Sequence, residues 1–139
     1  MRPARFPLLV AFLSVVACGA VTVELPDEIG ADFELEATLD ELGNCDTLSD
    51  TFVAVVRQAA ADIDELSEST DGRVPAGELE EKVDVIVNGA YFEIAERLGC
   101  RTVSQRLETL DRLRRLDPDS AAGDDLVTEI IRQLEEQGI

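Results

Sequence analysis

The spacing of aliphatic residues constrains the fold of this chain more than any other feature. After residue 31 they recur every three or four positions in five stretches, which places them on one face of an α-helix. Aromatic residues make up only 4% of the chain, so the core has to be built from aliphatic side chains. The sequence predicts an all-α fold, a small bundle of four to five helices, with helices over residues 32–42, 48–66, 75–98, 103–116 and 124–137.

Two short segments have patterns that are also typical of β-structure. Residues 21–25 alternate as a short strand would, although Pro26 and Gly30 interrupt the segment that follows. Asn88-Gly89 is typical of a hairpin turn between strands, but the helical spacing continues through it. A continuous third helix is therefore favoured over a hairpin.

The first seventeen residues have the pattern of a signal peptide. Arg2 and Arg5 precede an apolar stretch over residues 6–16, and no acidic residue occurs before Glu24. The apolar stretch is shorter than the roughly 20 residues that a transmembrane helix needs. We therefore expect export of the chain.

Val15-Val16-Ala17-Cys18 resembles the lipobox of bacterial lipoproteins, and this resemblance covers residues 1–18 only. It implies cleavage before Cys18 and attachment of a diacylglyceryl group to its sulfur. Residues 18–31 would then be a lipidated cysteine and tether, and residues 32–139 an acidic helical domain outside the cytoplasm, lipid-anchored to a membrane of the cell envelope. Ordinary secretory cleavage near Cys18, or an uncleaved apolar N-terminus, are the alternatives.

The remaining cysteines, Cys45 and Cys100, are an even pair, which in an exported protein predicts a disulfide. Two buried free thiols are the alternative. Each cysteine lies in a Leu-Gly-(Asn)-Cys-x-Thr pattern, with the asparagine present only before Cys45, so each is predicted to lie at a corner between two helices. Thr47 and Thr102 are the predicted N-caps of the helices that follow. The two corners match either through duplication of a helical hairpin or through convergence.

Charge and composition exclude several classes of function. The chain has 12 basic and 30 acidic residues. Loss of Arg2 and Arg5 would leave 10 basic residues against 30 acidic ones, a net charge of −20. Such a chain would be repelled by nucleic acids and by anionic headgroups. Histidine is absent, which removes Ser–His and Cys–His nucleophile pairs and His-ligated metals. We expect neither an enzyme nor a cofactor.

The segment between the last two predicted helices is a weak candidate for a metal site. It is rich in carboxylates, but its spacing departs from the EF-hand pattern. An acidic loop that ends one helix and caps the next is the favoured interpretation. The candidate ligands are Asp117, Asp119, Asp124, Asp125 and Glu129.

Three further groups of residues have both a structural and a functional interpretation. The acidic clusters Asp62, Asp64, Glu65, Glu68 and Glu78, Glu80, Glu81, Asp84 are predicted to be solvated helix faces rather than acid–base pairs. Arg112, Arg114 and Arg115 are predicted to pair with Glu108 and Asp111, the alternative being contact with an anionic ligand. Tyr91 and Phe92 are predicted to be mainly core residues, with one ring a candidate for an exposed binding spot.

Together these features favour a membrane-anchored exported lipoprotein that acts as a helical interaction or envelope-structural module. Its partners would be the membrane, through the N-terminal lipid, and another envelope protein. The alternative is a ligand- or cation-binding lipoprotein that uses acidic loops or a pocket. A hydrolase based on carboxylates alone is the third and least favoured hypothesis.

Overall fold

The computed structural model describes residues 23–40, 43–100 and 102–137, and all the regular secondary structure in these ranges is α-helical. The predicted all-α fold class is therefore confirmed. The predicted signal peptide and Cys18 lie outside the described residues. The helices are α1 (Leu35–Asp40), α2 (Cys45–Ser69), α3 (Ala76–Val87), α4 (Tyr91–Arg97), α5 (Val103–Arg114) and α6 (Ala121–Glu136).

Helix α2 forms the centre of the bundle. It is 25 residues long and contacts each of the other five helices. Phe52, Val56 and Ile63 are completely buried along it, as are Leu126 and Ile130 on α6. Because α3 also packs against α6, these two helices and α2 supply most of the buried core residues, and α1, α4 and α5 each contact α2 as well.

The predicted third helix is two helices, because the chain turns at residues 88–90. The Asn88 N–H still donates to the Asp84 carbonyl at 2.9 Å, but Gly89 lies so close to α1 that a Cβ would overlap the Leu35 side chain. Both expectations for Asn88-Gly89, a strand hairpin and a continuous helix, are wrong. The interruption lasts about one helical turn, so the apolar spacing resumes almost in phase and hides the break.

Gly99 ends α4 next to Cys100, as the sequence predicts, and Gly43 directly precedes the Asn44 cap of α2. Gly43 and Gly99 have φ angles of +68° and +74°, in the left-handed region that favours glycine. At the end of α4 the Cys100 N–H donates to the Ala95 carbonyl at 2.7 Å, and the Gly99 N–H donates to the Glu96 carbonyl at 3.1 Å. This pattern is a Schellman motif, and it fixes the direction in which the chain leaves α4.

The helix caps agree with the sequence in one case and differ in the other. Thr102 caps α5 and forms a capping box with Gln105, as predicted. Helix α2 begins earlier than predicted, and its cap is Asn44, whose side chain accepts the Thr47 N–H at 3.0 Å. Asn44 replaces Thr47 as the cap because the left-handed Gly43 directly precedes it and the helix begins at Cys45.

One predicted core helix leaves apolar residues in water. Val103 and Leu107 on α5 are 61% and 50% exposed, although their spacing matches that of the buried Leu110. No helix among the described residues is long and apolar enough to cross a membrane.

Candidate functional site

Cys45 and Cys100 form a disulfide, as the sequence predicts. Their sulfurs are 2.02 Å apart and their Cα atoms 5.4 Å apart, and the bond joins residues 55 positions apart in the chain. Cys45 is the first residue of α2 and Cys100 follows α4. The bond therefore holds together the two helix corners that the sequence identified.

Lys82 is the only lysine of the chain, and it is buried. Its Nζ donates to the Ile29 carbonyl at 2.6 Å and lies 3.4 Å from Asp62 Oδ2, in an ion pair. A buried ammonium group is costly unless it is paired and hydrogen-bonded. The two partners therefore explain how α3 carries a lysine on its inner side.

The same pair holds the segment that precedes α1. Asp62 Oδ2 accepts the Ile29 N–H at 2.7 Å, so both backbone groups of Ile29 are bound by the pair, and the Ile29 side chain is completely buried. Gln58 Nε2 donates to the Asp27 carbonyl at 2.8 Å, and the Ala31 N–H donates to Glu81 Oε1 at 3.0 Å. We call the set Gln58, Asp62, Glu81 and Lys82, which binds residues 27–31, the N-terminal latch.

The latch changes the predicted domain boundary. Residues 23–25 form no strand, and residues 27–31 pack on the helices instead of forming part of a free tether. The folded domain thus includes residues that the sequence assigned to the tether. Lys82 was missed because a lone lysine among glutamates resembles a surface residue, although it lies three positions after Leu79 and four before Ile86 on the apolar stripe.

Asp64, in the same acidic cluster, fastens the loop between α5 and α6. Its carboxylate accepts the Asp119 and Ser120 N–H groups at 2.8 and 2.9 Å, and a Cβ on Gly123 would overlap it. Ser120 in turn caps α6 by accepting the Gly123 N–H at 2.9 Å. The prediction of a solvated face is therefore wrong for Asp62 and Asp64, because both bind backbone of distant segments. Glu65 is exposed, as predicted, and so is Glu68.

The structure does not bring the candidate metal ligands together. Among the described residues no three carboxylate or cysteine side chains are grouped closely enough to hold a metal ion. Glu129 instead pairs with Arg132, and hydrogen bonds from Arg132 and Gln133 lower the pKa of Glu129 to about 2. Asp117 and Asp119 lie in the segment between α5 and α6, Ser120 caps α6, and Asp124 lies in its first turn.

An open groove of about 890 Å³ lies between α3 and α6. Its apolar lining includes the half-buried Leu79 and the buried Val83. Carboxylates line both walls: Glu80, Glu81 and Asp84 on α3, and Asp125 and Glu129 on α6. We call this feature the acidic groove.

The negative charge of the acidic groove is only partly balanced by the protein. Glu129 has an arginine partner, and Glu81 accepts the Ala31 N–H. Glu80 and Asp125 have neither a hydrogen-bond nor an ion-pair partner among the described residues. Two acidic regions that the sequence treated separately, the cluster from Glu78 to Asp84 and the start of the last helix, thus face each other. Glu78, also in that cluster, lies outside the groove lining.

Arg112, Arg114 and Arg115 form ion pairs, two of which link different helices. Arg112 pairs with Asp50 of α2 at 2.7 Å, Arg114 pairs with Glu135 of α6, and Arg115 pairs with Asp111 on its own helix. The predicted pairing within the helix is confirmed for Asp111, whereas Arg112 reaches α2 instead of pairing with Glu108. The three guanidinium groups are thus engaged by carboxylates of the chain itself.

Tyr91 and Phe92 are both half-buried. The Tyr91 ring stacks on Phe52 with a centroid separation of 4.2 Å and meets Phe92 edge-on at 5.5 Å. The Tyr91 hydroxyl lies 3.5 Å from the Thr109 hydroxyl oxygen. Burial raises the pKa of Tyr91 above its ordinary value, and the hydrogen bond with Thr109 and the charge of Arg112 partly oppose this effect.

Tyr91 is the only tyrosine, and the chain has no tryptophan, so its ionisation can be followed alone by near-ultraviolet absorbance. We expect a midpoint above pH 10 in the native protein and near 10 in denaturant. Because the folded state favours the neutral phenol, this contribution to stability is complete below pH 10 and is lost as pH rises through the folded pKa. A native midpoint at or below that of the denatured chain would contradict the stacked, buried position of the ring.

The latch and the acidic groove share Glu81, which accepts the Ala31 N–H and also lines the groove. The groove therefore lies beside the segment that leads back to Cys18. Comparison of the chain with protein-family models, with curated proteins and with solved structures found no match.

Proposed function

We propose that this chain is an exported lipoprotein, anchored to a membrane through Cys18, whose helical domain serves as an interaction module of the cell envelope. The observation that carries this proposal is the bond between Cys45 and Cys100, the only cysteines besides Cys18. Structural disulfides persist in oxidising compartments and are rare in the cytosol. The bond therefore supports the same destination as the signal peptide and lipobox.

The latch supports a role at the membrane surface. Val23 packs against the core, and residues 19–22 separate it from Cys18. The five residue steps from Cys18 to Val23 span at most about 18 Å when fully extended. Because residues 27–31 are bound to α2 and α3, a lipid on Cys18 would hold the domain close to the bilayer.

The acidic groove supports a binding function for the domain. It joins an apolar lining to carboxylates, of which Glu80 and Asp125 lack partners among the described residues. A groove of this kind suits recognition of another molecule, whereas the chain offers no histidine for common hydrolytic mechanisms.

Cys18→Ala is expected to move the protein from the membrane fraction to the soluble fraction of cells that express the full chain. Up to three acyl chains anchor a lipoprotein, and each buried methylene contributes about 0.8 kcal/mol. The variant with Cys45→Ser and Cys100→Ser is the matched control and should stay in the membrane fraction. Intact-mass measurement of the mature wild-type chain should show the lipid on Cys18, and a mature chain with an unmodified N-terminus would contradict the proposal.

A further inference from the structure

We infer that the acidic groove binds a basic amphipathic helix of a partner protein at the same membrane. The inference deepens the proposed function and rests on it only for the location of the partner. Binding itself follows from the groove, which combines an apolar lining, carboxylates on both walls and charge that the protein only partly balances.

The dimensions of the groove suit a helix. Its lining runs from Gly77 to Asp84 on α3 and from Asp125 to Gln133 on α6. At 1.5 Å per residue these stretches are about 10–12 Å long, or roughly two helical turns. A third helix laid over the contact between α3 and α6 would set apolar side chains on Leu79, in the manner of helix-in-groove recognition.

The arrangement of charge selects a basic partner over a single cation. The carboxylates are spread along both walls, and no three of those described are grouped as metal ligands. Lysines or arginines three and four positions apart on a helix lie about 5–6 Å from one another on its surface. Such a row would supply several separate cations to Glu80, Asp84 and Asp125 while its apolar face covers Leu79.

The position of the groove indicates where the partner lies. Glu81 in its lining is hydrogen-bonded to Ala31, which is thirteen residues after Cys18. A lipid on Cys18 would therefore keep the groove near the bilayer. The helix that fills it would belong to a protein attached to, or passing through, that membrane.

The test uses the mature chain carrying Cys18→Ala and a synthetic helical peptide with lysines on one face and leucines on the other. Binding is measured by titration calorimetry, and we expect weaker binding at higher salt because the contacts are charged and exposed. A peptide with glutamate in place of lysine should not bind. A peptide with serine in place of leucine should bind at least tenfold more weakly, because it cannot cover the apolar lining.

Matched variants distinguish the groove from general attraction to an acidic protein. Glu80→Gln, Asp84→Asn and Asp125→Asn together should weaken binding about tenfold, since each exposed ion pair contributes modestly. Glu65→Gln, Glu68→Gln and Glu108→Gln make the same change in net charge on exposed residues outside the groove, and should leave affinity within about twofold. Circular dichroism establishes that both triple variants remain folded.

Two outcomes would overturn the inference. If both triple variants weakened peptide binding equally, the affinity would depend only on the net charge of the protein. Displacement of the peptide by micromolar calcium or spermidine would show a site for small cations instead. Neither outcome bears on the lipid at Cys18, which fractionation and mass measurement test separately.

Discussion

Asp62→Ala is expected to lower the free energy of unfolding by about 3–5 kcal/mol, the largest effect of any single substitution considered for this protein. The change leaves the Lys82 ammonium buried without its anion and removes the acceptor of the Ile29 N–H. Urea unfolding followed by circular dichroism measures the loss. Glu65→Ala, on an exposed position of the same helix, is the matched control and should change stability by no more than about 0.5 kcal/mol.

The same substitution should also open the latch locally. Because Lys82 is the only lysine, reaction of an amine reagent with its side chain reports how often Nζ becomes accessible. We expect slow labelling in the wild type and much faster labelling in Asp62→Ala under native conditions, measured by mass spectrometry of the peptide that contains Lys82. Rapid labelling of the wild type, or a loss of stability no larger than that of Glu65→Ala, would contradict the latch.

Replacing both Cys45 and Cys100 with serine is expected to lower the free energy of unfolding by about 2–5 kcal/mol. The bond closes a loop between residues 55 positions apart, so its removal gives the unfolded chain considerably more freedom. It also frees the start of α2 from the segment after α4. Denaturant unfolding of the wild type and the double variant, both without reductant, measures the difference.

The state of the two cysteines is tested directly by alkylation. Protein isolated under non-reducing conditions should have no reactive thiol at Cys45 or Cys100, and should gain two after reduction in denaturant. Cys45→Ser alone should expose one alkylatable thiol, at Cys100. Two alkylatable thiols in the unreduced wild type would show that the pair is not oxidised in the protein as it is isolated.

The part of the structure that could be predicted depends on neighbouring residues in the chain. Apolar spacing identifies helices because a helix repeats every 3.6 residues wherever it packs. Gly99 and the capping box of Thr102 with Gln105 were recognisable because helix ends have local stereochemical needs. The disulfide was predictable because only two cysteines remained once Cys18 was assigned to the lipid.

Part of the candidate site could also be anticipated. The sequence identified the carboxylates around Glu80 and Asp125 as acidic clusters, and a cation-binding pocket was one of its hypotheses. It gave no indication that α3 and α6 lie side by side, so the first remained a solvated helix face and the second an acidic capping loop. The acidic groove exists only because both helices pack on α2.

The sequence by itself determined the helical class, the cysteine pair, the helix end at Gly99 and the cap at Thr102, since each follows from residues within a few positions of one another or from a simple count. Only the tertiary structure decided the roles of Asp62 and Asp64, which have the same local pattern as the exposed Glu65. Asp62 pairs with Lys82 20 residues away, and Asp64 binds backbone 55 and 56 residues away. A carboxylate on a helix becomes a solvated charge or a buried acceptor according to the segment that packs against it, and that segment lies beyond the reach of any local pattern.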